Sequence, residues 1–334
     1  MTTLRLTSSH DDLARAAEIL RAGGLVAIPT ETVYGLAVRA DDADAVARLY
    51  VAKDRPADNP LIVHVADVDA VLSVAREVTP LARDLLARFA PGPLTLVLPA
   101  HDDVPDAVTA GLDTVAVRIP DHPVALALLR LAGVPLAAPS ANRSTRPSPT
   151  RVEHVLADLD GRIDAVVDGG PTRVGLESTV VDARGAVPIV LREGGVTHEM
   201  LGVTGVAETS TSAHRSPGTR HRHYAPALPV HLAEPGTGPG VAVALAAELG
   251  GPVGVIAVRA SGALEPLTAT DVAVLAVPRD AAELGAEMFT LLRAAESRGV
   301  AAVVIEAVAE EGIGRAVMDR LRRAADATAP TSAS

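Results

Sequence analysis

The chain opens with a hydrophobic pattern that is typical of an amphipathic helix followed by a buried strand. Ser9 precedes two acidic residues, and apolar residues then recur at the spacing of one helical face from Leu13 to Leu20. Two consecutive glycines end this pattern. The apolar run 25–28 predicts a buried strand, which ends in the polar segment 29–35.

Short apolar runs and helical patterns alternate along the following part of the chain. The runs predict strands at 61–65, 94–98, 115–119, 165–168, 178–182 and 187–191. The helical patterns lie near 42–52, 67–76, 80–89, 123–132 and 150–158. Because some strands follow each other directly, the alternation favours an α/β fold with an open, mixed sheet.

The distribution of these patterns predicts two domains. The first covers 1–202, and the segment 203–229 is rich in Ser, Thr, Pro and Gly without hydrophobic period, which is typical of a linker. Residues 230–328 alternate again between strand and helix and predict a smaller α/β domain, followed by a tail at 329–334.

The composition sets limits on the class of protein. The 334 residues are 48% hydrophobic and contain no cysteine, so disulfides and thiolate metal sites are excluded. The amino terminus has no apolar signal region, and no run approaches the roughly 18 apolar residues of a membrane span. We therefore expect a cytoplasmic protein. The net charge is −11, and the sequence lacks the long basic clusters that form the broad basic face of a nucleic-acid-binding protein. Stable tRNA binding is therefore not expected.

One lysine stands out among the cations. The chain has 30 Lys and Arg residues, and Lys53 is its single lysine. Lysine is a compact charge on a thin stem, whereas arginine is a wide planar fork. Lys53 is therefore a candidate for contact with a phosphate oxygen or a reacting centre, with a surface lysine as the alternative.

Polar residues cluster where the predicted strands end, at 30–34, 53–60 and 139–142. In open α/β sheets such loops converge on a ligand crevice, although each loop alone could be a capped turn. The chain has neither the glycine loop of a Walker A motif before Lys53 nor a GxGxxG motif between a strand and a helix. A nucleotide site must therefore be built differently.

Eight motifs together resemble the Sua5/YrdC/YciO family of threonylcarbamoyl-AMP synthases in its long, Sua5 form. They are PTETVYGL at 29–36, KDRPADNPL at 53–61, FAPGPLTLVL at 89–98, VAVRIPDHP at 115–123, APSANRS at 138–144, LESTVVD at 176–182, LREGG at 191–195 and SPGTRHRHYAP at 216–226. The resemblance implies an open, twisted mixed-sheet YrdC-like domain with a deep basic cavity. It also implies a Rossmann-like Sua5 domain, joined by a linker that closes over that cavity as a lid.

The resemblance also implies the site residues. The threonine pocket would comprise Thr32, His64, Arg118, Ser178 and the backbone of Ala138. The ATP site would comprise Lys53, Arg55, Asn59, Thr114, Ser140, Ser148, Arg192 and Tyr224, with Lys53 and Arg55 as the catalytic pair. Two alternatives stay open, a core histidine for His64 and a surface ion pair with Asp54 or Asp58 for Arg55.

The activity implied is synthesis of threonylcarbamoyl-AMP from L-threonine, bicarbonate and ATP, for the threonylcarbamoyladenosine modification of tRNA position 37. Mg²⁺ would arrive with ATP, and no resident metal site is expected. The product would be handed to a tRNA threonylcarbamoyl transferase complex. Two alternatives are an RNA-binding module of the same fold and a carbamoyl-transfer enzyme of hydrogenase maturation. The second would carry zinc-finger cysteines, which this chain lacks.

Overall fold

A computed structural model describes residues 2–203, 224–259 and 271–328. These residues form two compact units, 2–144 with 148–203, and 145–147 with 224–259 and 271–328. Most of the predicted linker, residues 204–223, lies outside the described residues. Within the described ranges, no helix combines the length and the apolar character that a membrane crossing requires.

The first unit is built on a mixed sheet of ten described strands. They are β1 (Leu4–Leu6), β2 (Val26–Ile28), β3 (Gly35–Arg39), β4 (Ile62–His64), β5 (Leu94–Pro99), β6 (Thr114–Arg118), β7 (Leu136–Ala137), β8 (Ala165–Val167), β9 (Thr179–Asp182) and β10 (Ile189–Arg192). Their order is β1-β8-β2-β3-β7-β4-β6-β5-β9-β10, with parallel and antiparallel neighbours mixed.

The helices of this unit are α1 (His10–Arg21), α2 (Ala43–Lys53), α3 (Pro80–Phe89), α4 (Asp106–Thr109), α5 (Pro123–Ala132), α6 (Val152–Leu159) and α7 (His198–Leu201). Local signals set several ends. The Ser9 hydroxyl accepts a hydrogen bond from the Asp12 amide at the start of α1. Pro123 begins α5, and Gly133 ends it with a φ of 69°, a left-handed conformation that favours glycine.

Helices cover both faces of the first sheet. Val26 and Ile28 of β2 pack in one hydrophobic cluster with α1 and α5, whereas Ala27 packs in the other with α2, α3 and α6. Because both faces are buried, the strands read as continuous apolar runs instead of alternating ones. The carboxyl ends of the strands and the loops that follow them are then left to present polar side chains.

The second unit contains a four-stranded parallel sheet, in the order β11-β14-β12-β13. The strands are β11 (Val230–Ala233), β12 (Val253–Ile256), β13 (Val272–Ala276) and β14 (Ala302–Glu306). The helices are α8 (Gly238–Leu249), α9 (Ala281–Ser297) and α10 (Gly314–Thr328). A mixed α/β unit followed by a smaller parallel α/β unit confirms the predicted fold class.

The local predictions differ from the structure in one wrong helix and in several short elements without a predicted range, namely β1, β3, β7, α4 and α7. The helix predicted at 67–76 is wrong, because only a short 3₁₀ helix forms, over Asp69–Ser73. Beyond it the backbone pairs with the carboxyl end of β5, where Ala75 bridges to Ala100 and the Arg76 amide donates to the Pro99 carbonyl. Strand β3 was not predicted, because it follows directly from the polar segment that begins at Pro29.

Candidate active site

Lys53 is the last residue of α2 and is buried at the centre of a polar loop cluster in the first unit. Its side chain is 1% exposed, and its ammonium donates to the Ser140 carbonyl and, at 2.5 Å, to the Asn142 carbonyl. The Ser144 amide donates back to the Lys53 carbonyl at 2.8 Å. Burial, with a smaller effect from the nearby Arg55, holds the pKa of the Lys53 ammonium well below its usual value. Lys53 and Ser140, two residues of the predicted ATP site, are thus in contact.

His64 and Arg118 occupy aligned positions on the parallel strands β4 and β6. The Arg118 guanidinium lies 2.7 Å from an oxygen of the Glu31 carboxylate, and both side chains are buried. The Arg118 Nε donates to the Gly92 carbonyl at 3.3 Å. A buried cation is therefore fixed at this point of the sheet, facing a single carboxylate among the described residues.

The His64 ring is buried and neutral at physiological pH. Burial, assisted by the positive charge of Arg118, lowers the pKa of the imidazole to about 3. Nδ1 lies 3.3 Å from the Ile62 carbonyl, which can only accept, so the ring proton is assigned to Nδ1. Nε2 is then a hydrogen-bond acceptor. The alternative of a core histidine fits this burial equally well.

The hydroxyl of Thr32 is also left as an acceptor. Thr30 Oγ1 donates its one proton to the Val33 carbonyl at 2.6 Å and lies 2.8 Å from Thr32 Oγ1. The hydrogen bond between the two hydroxyls must therefore be donated by Thr32. Since this uses the only proton of Thr32, its free lone pair can bind only a donor.

A second group of predicted residues meets at β9 and β10. The Arg192 guanidinium donates to the Ser178 carbonyl at 2.8 Å and to the Ser178 hydroxyl at 3.1 Å. The Ser178 hydroxyl also lies 2.7 Å from Thr95 Oγ1. Gly194 makes this approach possible, because an added Cβ would lie 2.3 Å from the Ser178 backbone carbon.

Ser148 and Glu177 join the strand β9 region to the loop after β7. Ser148 Oγ donates to a Glu177 carboxylate oxygen at 2.6 Å, and both side chains are buried. Next to Ser148, the Pro149 carbonyl accepts from the Tyr34 amide at 2.8 Å. The loops that carry Thr32, Ser140, Ser148 and Ser178 thus form one contiguous part of the first unit.

The remaining predicted residues have less direct contacts. Thr114 begins β6 on the same face as Arg118, and the Ala138 amide donates to the Ile62 carbonyl at 2.9 Å. Asn59 is buried, and its carbonyl accepts from Arg55 at 3.4 Å. Asp54, one alternative partner of Arg55, is bound instead by two other arginines, Arg143 and Arg162.

Tyr224 lies in the second unit, where its ring stacks on Phe289 with centroids 5.2 Å apart. The part of its motif at 216–223 lies outside the described residues. A role of Tyr224 in ATP binding stays a prediction.

Sequence reasoning assigned no role to three buried side chains of this region, Thr30, Glu31 and Glu177. Glu31 lies next to Thr32, Glu177 lies next to Ser178, and Thr30 precedes Thr32 by two residues, within the motifs at 29–36 and 176–182. The sequence contains no signal for Glu31, because 29–35 is a polar segment in which a glutamate is ordinarily solvated, and only the structure shows that the whole run from Leu25 to Val38 is buried.

The electrostatics of the site favour anions. Lys53, Arg118 and Arg192 are all buried, and each donates to at least one backbone carbonyl. Buried cations are costly unless charged partners compensate them, and phosphate and carboxylate groups are suitable partners. Within the described ranges, no group of three or more His, Asp or Glu side chains could hold a metal ion.

Two protein-family models match the chain. The Sua5/YciO/YrdC model, described as telomere recombination, matches residues 18–194. The Sua5 carboxyl-terminal model, described as the C-terminal domain of threonylcarbamoyl-AMP synthase, matches residues 191–326. Together they account for nearly the whole chain.

Relatives with known names match over similar lengths. A Bacillus subtilis protein named threonylcarbamoyl-AMP synthase is 41% identical over 97% of this chain and 95% of its own length. A Pyrococcus abyssi protein of the same name is 44% identical over 92% of each chain. The crystal structure of P. abyssi Sua5 complexed with L-threonine superposes with a TM-score of 0.88 at 39% identity, over 98% of each chain. By its motifs, its fold and these matches, the chain belongs to the Sua5/YciO/YrdC family and carries the Sua5 carboxyl-terminal domain.

Proposed function

We propose that the protein makes threonylcarbamoyl-AMP and pyrophosphate from L-threonine, bicarbonate and ATP. The observation that carries the proposal is the group of buried cations, Lys53, Arg118 and Arg192, held by backbone carbonyls in one contiguous site. Support also comes from two relatives of that name that match over more than nine-tenths of this chain.

The amino-acid pocket would be formed by Thr32, His64, Arg118, Ser178 and the backbone of Ala138. The Arg118 guanidinium would bind the α-carboxylate, since its fork can donate to two oxygens at once. The free acceptors on Thr32 and His64 suit the hydroxyl proton of threonine. A serine hydroxyl would make the same bond, but serine lacks the methyl group and would bury less apolar surface.

The nucleotide would be bound by Lys53, Arg55, Asn59, Thr114, Ser140, Ser148, Arg192 and Tyr224. Lys53 and Arg55 would act on the reaction itself, because cations beside the triphosphate stabilise charge on the α-phosphate and on the departing pyrophosphate. Lys53 already lies against the Ser140 loop, so its amine is in position before the nucleotide arrives, and the negative charge of the phosphates would favour its protonated form.

In the proposed reaction, the threonine amine bonds to the carbon of bicarbonate, and water leaves to give a carbamate. A carbamate oxygen then attacks the α-phosphorus of ATP, and the bond to the leaving pyrophosphate breaks. The site needs preorganised cations for these steps and no protein nucleophile.

Mg²⁺ would enter with ATP. The Ser148 hydroxyl and the Glu177 carboxylate are oxygen ligands of the type that Mg²⁺ prefers, and ATP phosphates and water would supply the other ligands. The ion would neutralise phosphate charge.

The product would serve the threonylcarbamoyladenosine modification of tRNA in the cytoplasm, by transfer to the threonylcarbamoyl transferase complex. No stable complex with tRNA is needed for this role, in agreement with the net charge of −11.

The test is pyrophosphate release by the full chain with ATP, Mg²⁺ and bicarbonate, with and without L-threonine. We expect release that depends on threonine and is poorly supported by serine. Arg118→Gln should abolish most of it, whereas Arg15→Gln, the same change on the outer face of α1, should not. Release that is equal without any amino acid, or absent altogether, would contradict the proposal, and the second result is the one expected for an RNA-binding module.

A further inference from the structure

The Glu31 carboxylate is the most unusual buried group of the first unit. The residue is 1% exposed, yet neither carboxylate oxygen accepts a hydrogen bond from the described residues. Arg118 lies 2.7 Å away, but the contact lacks the geometry of a hydrogen bond. A buried charge without hydrogen bonds is costly, so its presence calls for an explanation.

The backbone holds Glu31 in this position. Its carbonyl accepts from the Val174 amide at 2.7 Å, and the amides of Thr32 and Val33 both donate to the Thr30 hydroxyl at 3.3 Å. The side chain is therefore not placed by its contact with Arg118 alone. A buried carboxylate that has no hydrogen-bond donors from the protein can accept hydrogen bonds from a ligand.

Apart from the Arg118 guanidinium, two groups of the predicted threonine pocket near Glu31 are acceptors. The free lone pair of Thr32 and the Nε2 of His64 can both accept only. His122 lies within electrostatic range of Glu31, but burial lowers the pKa of its imidazole. The ring is therefore not a source of positive charge that would compensate the Glu31 carboxylate. A ligand that fits here must bring several donors and a positive charge.

An amino acid in its zwitterionic form meets this requirement. Its ammonium carries three N–H donors and lies one carbon away from the carboxylate. The protein presents the opposite arrangement, with the Glu31 carboxylate directly beside the Arg118 guanidinium. We propose that Glu31 binds the α-ammonium group of the amino-acid substrate while Arg118 binds its α-carboxylate, an inference that rests on the proposed function.

The inference makes Glu31 a binding residue that exchanges partners. Without substrate its carboxylate faces Arg118, and with substrate each of the two charges gains an opposite charge from the zwitterion. Fixing the ammonium also fixes the nitrogen, which bonds to the bicarbonate carbon after it has lost one proton to water, so Glu31 positions the reacting atom.

The experiment compares two ligands on the full chain. L-Threonine is titrated by calorimetry, and 3-hydroxybutanoate, which is threonine without its amine, is titrated as a competitor. Glu31→Gln removes the charge at nearly constant shape, and Glu18→Gln makes the same change at an exposed position of α1 as the control. We expect Glu31→Gln to weaken threonine binding about 10- to 100-fold, the range for hydrogen bonds to charged groups.

The competitor should respond in the opposite direction. It should bind Glu31→Gln more tightly than the unmodified protein, because Arg118 no longer faces a carboxylate that competes with the ligand. If both ligands weaken together, Glu31 merely orients Arg118 and the inference is wrong. Unchanged threonine binding, or no competition by 3-hydroxybutanoate in either protein, would also overturn it.

Two further results separate the possible failures. If the unmodified protein does not bind threonine at all, the proposed function itself fails. If melting shows that Glu31→Gln does not fold, Glu31→Asp takes its place, because it keeps the charge and withdraws it by one methylene. That variant should lower the preference for threonine over 3-hydroxybutanoate, and an unchanged preference would contradict the inference.

Discussion

Each unit buries a carboxylate near the ends of its strands, and the two carboxylates are held differently. Glu306 ends β14 in the second unit and accepts hydrogen bonds from the Gly238 amide at 3.0 Å and the Val258 amide at 2.9 Å. Glu31 in the first unit is equally buried and accepts none from the described residues. The Glu306 carboxylate therefore stabilises the second unit by linking α8 to the segment after β12. The Glu31 carboxylate keeps its hydrogen-bond acceptors available for a ligand.

Lys53 of the first unit differs in the same way from two arginines of the second. In the second unit Arg320 lies 2.8 Å from Asp319, and Arg146 forms two hydrogen bonds with the Glu296 carboxylate. In the first unit Lys53 donates to the carbonyls of Ser140 and Asn142. Carboxylates of the fold therefore neutralise these two arginines, whereas the carbonyl partners of Lys53 leave its amine available to an anionic ligand. Three predictions test this difference.

The largest expected effect is on turnover. Lys53→Arg should lower kcat for pyrophosphate release on the order of 100-fold or more, the cost of removing one preorganised charge-stabilising donor. The wider guanidinium cannot place its charge where the slender ammonium lies between two carbonyls. Steady-state kinetics measure the effect, with Arg15→Lys on α1 as the control for an arginine–lysine exchange. Normal turnover in the variant would mean that the buried charge of the first unit serves only the fold.

The next effect is on stability. Glu306→Gln places an amide where two backbone N–H groups now meet acceptor oxygens, so one donor loses its partner at a cost of about 2 kcal/mol. Thermal melting and amide exchange at Gly238 and Val258 should show the loss, while threonine affinity stays unchanged. If threonine affinity falls and stability does not, Glu306 faces a ligand and the contrast with Glu31 disappears.

The smallest effect is a pH dependence. The pKa of His64 is about 3 in the folded chain and near 6.5 when unfolded, so the unfolded chain binds the extra proton between these values. Stability is complete above pH 6.5 and falls as the pH drops toward 3. Between pH 7 and pH 5, urea unfolding should show a loss of up to about 2 kcal/mol. His64→Gln should lack this loss, and an equal loss in both proteins would place the titrating group elsewhere.

Much of the site was predictable because it lies in continuous motifs. Lys53 was identified as the one lysine among 30 cations, and its burial against Ser140 agrees with a special role. The resemblance supplied Thr32, Arg118 and Ser178, whose part in binding stays a prediction. Glu31 was not assigned, because a glutamate beside a threonine in sequence gives no indication of whether its carboxylate is solvated or buried without donors.

The sequence by itself determined the α/β class, most strands and the helices whose caps are local. Periodicity and capping depend on neighbours within a few residues, which the sequence displays directly. Only the tertiary structure decided which polar groups keep free hydrogen-bonding capacity, such as the acceptor of Thr32 and the carboxylate of Glu31. That property depends on partners far away in sequence, as Arg118 is from Glu31. In a buried site water cannot replace a missing partner, so each unsatisfied polar group costs free energy.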